Sequence, residues 1–570
     1  MKKLLLLFAV LTFVGSLSAV TYYVDTASTG SGDGTTTDIA GIHAAWKNIS
    51  EISGLVAGAS VLFKRGCTWR EQLTVPVSGS PGNPITFGAY GTGDKPKIYG
   101  SKQATTWTYE ATNLWWYSNT PNPNPNSVWF ILQNNTIKWG RQEATKGELN
   151  AEYDWWWDSG NSRIYVYTGG NGDVPGDDPD QRYTSIEIPV RTEAIDVPSK
   201  DYITIQNLEL AFFYSLNTSV VSKPIYLNTG DYAIVENCLI HHSGTLGLTE
   251  GEDEPLGHGI FMLHSSGTIV RHCTIHNIAR RAICLRQNES GITDNVIIED
   301  NILYDAYHAH VDFKGFATTS GSFDNIIVRR NYIYLSDDYP ADGRLKSSCA
   351  VYIASGKVER TFKITNPKIY YNITRNFVTE HIGVYFNVSG AEIYNNTCYG
   401  SKSDAPWIVG IHVKPGWNSN IKIKNNIAMN MKSGCLWIGD SNEVGSCENN
   451  CWYQDGTKGT VFASINAIAY YSGDFPAYKS ATGWDTNGKW EDPKFVNAGG
   501  MIPSDYKLAF GSPCIDTGTN LGLIMDYFGT TVPKGAGYDI GADEYGSLIR
   551  ARIAAGTRAR IRAGATMKIK

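Results

Sequence analysis

Nine times between residues 207 and 450 a short hydrophobic strand runs into a turn at an asparagine or its stand-in. The phrases are IQNLEL at Asn207, VENCLI at Asn237, VRHCTI at His272, IEDNILY at Asn301, VRRNYIY at Asn331, ITRNFV at Asn376, IYNNTCY at Asn396, IKNNIAM at Asn426 and CENNCWY at Asn450. Recurrence at roughly 20 to 45 residues marks a stacked solenoid, in which each phrase is one coil. Asparagine suits the bend because it tolerates left-handed backbone, and its amide both donates to and accepts from the coil above, so a ladder is expected inside the wall. A meander of hairpins would instead show Asn-Gly or Asp-Gly pairs between alternating strands. This series has none.

One long solenoid absorbs most of a 570-residue chain that is 42% hydrophobic and 18% charged, so length is a poor guide to domain number. Residues 1–19 combine Lys2 and Lys3, an apolar run from Leu4 to Val14 and small residues up to Ala19. That is the pattern of a secretory signal, so the mature protein is expected to be secreted or at the cell surface. No later run is long enough for a membrane span. The net charge is −6 although Lys2, Lys3 and the arginine-rich tail 547–570 contribute only cations. The folded body is therefore acidic, which argues against nucleic acid as partner. The tail reads either as a sorting or surface-association segment or as disordered chain. Among the cysteines, Cys238 and Cys273 are expected as stacked inward thiols, and Cys447 and Cys451 are close enough in sequence to bridge.

The expected organisation is a first strand at Thr21–Asp25, a short capping helix over Ile42–Ile52 and opening coils to residue 104. A Trp-rich β subdomain is inserted at 105–190, the main coils run over 191–455, and a loop-rich end follows over 456–546. The tryptophans of the insertion are expected to pack against the solenoid wall rather than to stack on sugar. Solenoids of this kind are commonly self-sufficient, so a monomer is expected.

A second series of strands alternates with the asparagine phrases: KPIYLNT, HGIFMLH, RAICLRQ, AHVDFKG, CAVYIAS, IGVYFNV, VGIHVKP and SGCLWIG. Strict alternation sends the third and fifth residues inward and the fourth and sixth to solvent. The outward fourth column then reads Tyr226, Phe261, Cys284, Asp312, Tyr352, Tyr385, His412 and Leu436. The sixth reads Asn228, Leu263, Arg286, Lys314, Ala354, Asn387, Lys414 and Ile438. Coils stack at about 4.8 Å, so Arg286, Asp312 and Lys314 meet on one strip that Tyr352, Tyr385, Asn387, His412 and Lys414 continue. Such a strip is a groove for an extended polar ligand. Loops overhang it, and Asp337 and Asp338 on one of them, with Asp312, are candidates to hold a hard cation such as Ca²⁺. The Glu250–Glu254 cluster reads as a solvated acidic loop.

The ladder, the strand order, the TYYVD start and the closing SPCID and DIGADEY phrases together resemble the right-handed parallel β-helix proteins of the pectate lyase superfamily. The resemblance covers residues 20–546 as architecture. It implies an all-β, right-handed parallel β-helix, and it makes the strip the substrate groove for a polysaccharide. Asp312-Phe313-Lys314 is similar to the Asp and Lys segment of the calcium-dependent, lysine-base lyases of that superfamily, although only Asp312 lies on the strand where those enzymes carry a denser aspartate cluster. β-Elimination from a uronic acid polymer needs a neutral base, and nearby positive charge with partial burial lowers a lysine pKa. Lys314 is then the base, Arg286 the clamp on the substrate carboxylate, and Asp312 a cation ligand or orienter of Lys314. His412, Tyr352 or Tyr385 protonates the leaving group or lines a subsite, and His310, Asn387 and Lys414 complete the sugar-binding candidates. Two alternatives stand beside this reading. A glycoside hydrolase needs a second carboxylate from a loop such as Asp337 or Asp338, because Asp196 lies four coils away. A non-catalytic glycan-binding surface protein needs no acid or base at all.

Overall fold

A computed structural model of the chain describes residues 20–546 except 120–123, 170–176, 216–219, 246–255, 316–319, 338–347, 356–360, 403–406 and 457–458. Each coil contributes three short strands to three long parallel sheets. In the coil that opens at Arg281 these are Arg281–Gln287 in the front sheet, Ile297–Glu299 in the side sheet and Ile302–Ala306 in the back sheet. Among the described residues the front and side sheets have 12 strands each, the last of the front sheet (Ile468–Tyr471) pairing antiparallel, and the back sheet has 11. A fourth sheet of four strands, from Ile292–Asp294 to Val388–Ser389, fills the corner between front and side. Inward residues stack on their counterparts one coil on, as Ile283 on Val311 on Val351 and Leu285 on Phe313 on Ile353. One apolar column thus runs from Val24 to Tyr478. Burying each of its Val, Ile, Leu or Phe side chains favours folding by about 1.5–3 kcal/mol.

The turn from side sheet to back sheet uses two residues with different tasks. The first is left-handed in every coil, with φ of 62° at Asn207, 52° at Asn237, 53° at His272, 56° at Asp300 and 50° at Asn395. The second points inward and carries the ladder. Asn301, Asn331, Asn372, Asn396 and Asn426 each donate Nδ2 to the Oδ1 of the next asparagine at 3.0 Å. Asn450 ends the series by donating to Asp485 Oδ1 at 2.9 Å. The sequence phrases therefore merged two columns: Asn207, Asn237 and His272 belong to the left-handed one, and Asn372, not Asn376, is the ladder member of its coil. Cys273 occupies the inward column, and its backbone N–H donates to Asn301 Oδ1 at 2.9 Å. All ten cysteines are free, Cys447 and Cys451 included.

At the N-terminal end the expected helix over Ile42–Ile52 is absent. Only Ile49–Glu51 forms a single 3₁₀ turn, and Trp46, stacked on Tyr22, covers the first coil instead. The opposite end is closed by the helix Phe475–Thr482, whose Tyr478 is fully buried against the last coil. No helix among the described residues is long and apolar enough to cross a membrane.

The inserted subdomain begins at Ser101, because Ser101–Ala104 already pairs with Tyr183–Pro189 in its four-stranded sheet. A five-stranded sheet lies over it around a core that includes Trp107, Trp115, Phe130 and Trp155. Trp129 and Trp139 reach the β-helix itself and pack on Tyr99 and Phe212 of the back sheet. Aromatic packing thus builds the insertion and docks it away from the front sheet.

Candidate active site

The outward face of the front sheet gathers the ionisable groups. Arg286 and Lys314 are register partners in adjacent strands, as are Cys284 and Asp312, then Asp312 and Tyr352. The expected meeting of Arg286, Asp312 and Lys314 is what the fold produces. Two later strands differ from strict superposition. Gly383, not Tyr385, follows Tyr352 in the column, and Trp437, not Leu436, follows His412. Tyr385 stands two residues further along, next to Ala354, while Leu436 is buried in the core.

The front strands also break alternation near their start. Ala282 and Ile283 both join the core, as do Ala350 and Val351, so the first residue of the strand emerges on the groove side. That slip brings out Arg281 and Glu380, which alternation had assigned inward. It turns His310 inward, where it is fully buried, accepts from the Ala306 N–H at Nε2 (3.2 Å) and pairs through Nδ1 with the Cys349 carbonyl (3.1 Å). His310 is a wall residue and is unavailable to a sugar. Asn387 is likewise structural: it bends the corner at φ 56° and donates its amide to the Phe362 carbonyl.

Asp312 is the centre of the cluster and is fully buried. Arg286 donates to its Oδ1 from Nη1 at 3.1 Å and to its Oδ2 from Nη2 at 2.9 Å, and Arg281 donates to Oδ2 from Nε. Burial opposes ionisation of this carboxyl, but Arg286 and Arg281 outweigh it and hold the group below the usual carboxylate range. Arg286, 5% exposed, spends its fork on Asp312 and on the Leu285 carbonyl. The guanidinium expected to clamp the substrate carboxylate is thus anchored on Asp312. Asp312 in turn spends three of its roughly four acceptor sites on these guanidiniums. Asp337 is exposed and paired with Arg375 of the back sheet at 3.4 Å, and Asp338 lies outside the described residues. Among the described residues no three His, Cys, Asp or Glu side chains are grouped to hold a metal ion. Asp312 is thus engaged by the front-sheet arginines, and Asp337 by Arg375 of the back sheet.

Around the ion triad stand groups that sequence reasoning passed over. Arg280, Arg281, Arg286 and Lys314 all interact with Asp312, leaving the patch with more cations than anions. Lys314 is partly exposed, and burial in the first place, with Arg286, Arg281 and Arg280 adding, lowers its pKa against the opposing pull of Asp312. His308 is driven down to about 3 by burial and Arg281, and His258 is held well below its ordinary value by burial and the same guanidiniums. Both imidazoles are thus neutral, and each leaves Nδ1 buried without a hydrogen-bond partner.

A second group lies two and three coils on. Glu380 accepts from the Tyr385 hydroxyl and contacts His412 Nδ1 at 3.1 Å. Burial alone would raise its pKa, yet the bonds from His412 and Tyr385 bring it to about 2. Gly383 makes this possible, because a Cβ there would lie 2.7 Å from the Tyr385 ring. His412 is consequently three coils from Asp312, about 14 Å along the axis, and is not part of the Lys314 cluster. Tyr352 is the register partner of Asp312 in the next coil. Its pKa is raised by burial, so it keeps its proton.

The family described as right handed beta helix region matches residues 189–373 and 258–475, which together span half of the chain. The chain belongs to the right-handed β-helix family. The handedness and architecture implied by the resemblance are those observed. Among solved structures, this β-helix protein is similar to XylC in complex with xylose (13% identity, 92% of this chain and 98% of that one, TM-score 0.47). It is also similar to the pectate lyase Pel9A (13% identity, 93% and 97%, TM-score 0.46). A third likeness is to the GH136 lacto-N-biosidase from Eubacterium ramulus (15% identity, 79% and 65%, TM-score 0.38). No curated protein matches the chain. At these identities the likenesses concern fold, and one fold carries several chemistries.

Proposed function

We propose that this protein is a secreted polysaccharide-active enzyme that cleaves a uronic-acid-containing glycan by β-elimination, with Lys314 as the base. The observation that carries this reading is the setting of Lys314: a partly exposed amine, register partner of Arg286, beside three guanidiniums and a single carboxylate. A lowered pKa gives the amine a larger neutral fraction near neutral pH, which is what a lysine base requires. The excess positive charge favours a uronate carboxylate over the patch and the negative charge that builds on it during proton removal.

The step balances without further reactants. Lys314 Nζ takes the C5 proton next to the uronate carboxylate, the electron pair forms the C4–C5 double bond, and the C4–O bond breaks. Tyr352 gives its proton to the departing oxygen. Asp312 fixes Arg281 and Arg286 and takes no proton itself. A hydrolase would need a carboxylic acid kept protonated beside a second carboxylate. Asp312 and Glu380 are both held below the ordinary range. Asp196, which burial raises, stands four coils from Asp312.

The test is incubation with uronic-acid glycans while following the absorbance of unsaturated uronate together with reducing ends. New absorbance that disappears in Lys314→Ala supports elimination. Reducing ends without absorbance mean hydrolysis, and full activity in Lys314→Ala ends the base assignment.

A further inference from the structure

The groove changes chemical character along the helix axis. Its Arg281, Arg286 and Lys314 end is cationic. Further on, the floor becomes aromatic: Tyr352 and Tyr385 have ring centroids 4.8 Å apart, Tyr385 and His412 5.4 Å, and His412 and Trp437 6.3 Å. Trp407 closes the series against Trp437, centroids 4.0 Å apart at 48°, and keeps 38% of its surface exposed. Beneath these rings lies Glu380, ionised and held by Tyr385 and His412. Beside Glu380 stand His412, whose Nδ1 lies 3.1 Å from the carboxylate, and Lys414, an exposed ammonium over Tyr385 at 5.2 Å that solvent and salt screen.

Each coil advances the groove by about 4.8 Å, close to the length of one pyranose residue. A homopolymer of uronates lying over Lys314 would therefore bring a carboxylate two coils later over the aromatic floor, above a buried Glu380 already bonded to Tyr385 and His412, far from the guanidiniums that meet the first carboxylate. Apolar sugar faces, by contrast, match flat rings whose edges carry polar groups. We infer that the groove takes a mixed glycan, with a uronate at the guanidinium end and uncharged sugars over Trp407 and Trp437. This rests on the reading of Lys314 for its charged end only.

The test uses Lys314→Ala protein, so that bound glycan is not consumed, titrated by calorimetry and tryptophan fluorescence. The probes are fragments of gellan, whose backbone sets single glucuronates among neutral sugars, and oligogalacturonate of equal length. The gellan fragment should bind about tenfold tighter or better. Adding Trp437→Ala or Trp407→Ala should erase that advantage while leaving oligogalacturonate unchanged, and Trp437→Phe should keep most of it. Glu380→Gln should tighten oligogalacturonate severalfold. Equal affinity for the two probes, no binding of either, or indifference to both tryptophan changes overturns the inference. If the wild type yields no unsaturated product from any glycan while Trp437→Ala still loses the gellan fragment, elimination fails and the mixed-glycan groove stands.

Discussion

Arg286 and Asp312 stand on adjacent coils and are joined by two parallel hydrogen bonds of 3.1 and 2.9 Å, both side chains almost wholly buried. Their Cα positions are one column apart, so the guanidinium must lie flat along the sheet to reach the carboxylate. With Arg281 on the other side, the carboxylate becomes the negative centre that lets several cations share one face.

Removing that centre leaves buried guanidiniums uncompensated. Asp312→Asn should cost about 3–5 kcal/mol of stability, the range for breaking a buried pair from one side. Urea denaturation measures it. A loss under about 1 kcal/mol, the scale of exposed pairs, would mean the pair is solvated.

The same pair sets an acid limit. Asp312 titrates lower in the folded chain than when unfolded, so its contribution is complete above about pH 4 and is lost as the pH falls toward the folded value. Glu380, at about 2, behaves likewise. Unfolding free energy followed from pH 6 to pH 2 should fall steeply below about pH 4, and Asp312→Asn should flatten that fall.

Lys314→Ala should lower the elimination rate by about 10² to 10⁴, the contribution typical of a positioned base. Lys314→Arg should do no better, since a guanidinium stays protonated. In the wild type the rate should rise with pH and level off below the ordinary lysine pKa of about 10.4, because folding lowers that of Lys314. A pH–rate profile that levels off at the unperturbed value would contradict the assigned environment.

Asn372 accepts from Asn331 and donates to Asn396, Val328 and Tyr370. Asn372→Ala strands these buried partners, at about 1–3 kcal/mol for each polar group left unsatisfied. Asn376→Ala, outside the ladder, should cost far less. Thermal melts of the two variants side by side decide which residue belongs to the ladder.

Gly383→Ala places a methyl 2.7 Å from the Tyr385 ring. Tyr385 must then leave Glu380, whose pKa rises toward the ordinary range. An NMR titration of the glutamate carboxyl should show that rise, and an unchanged value would mean the ring has another way to reach it.

What could be read from the chain alone follows from its periods. Recurrence of strand and asparagine fixed the solenoid, because every coil must solve the same bend and bury the same stripe. The apolar superposition of AHVDFKG on RAICLRQ put Asp312, Lys314 and Arg286 together, because neither strand has an insertion between its inward residues. Arg281, Glu380 and the inward turn of His310 were hidden. They depend on a one-residue slip in alternation that composition does not record, and the offset of Tyr385 depends on Gly383 leaving room for a ring.

The coil, its stacking direction and the face on which charged residues collect are all legible in the chain, since these repeat locally in every turn. What those charges do to one another is set by the folded arrangement of the coils. Whether Arg286 stands free or is bound to Asp312, and how many acceptor sites of that carboxylate are taken, depends on side-chain distances between coils and on burial, which no single strand encodes.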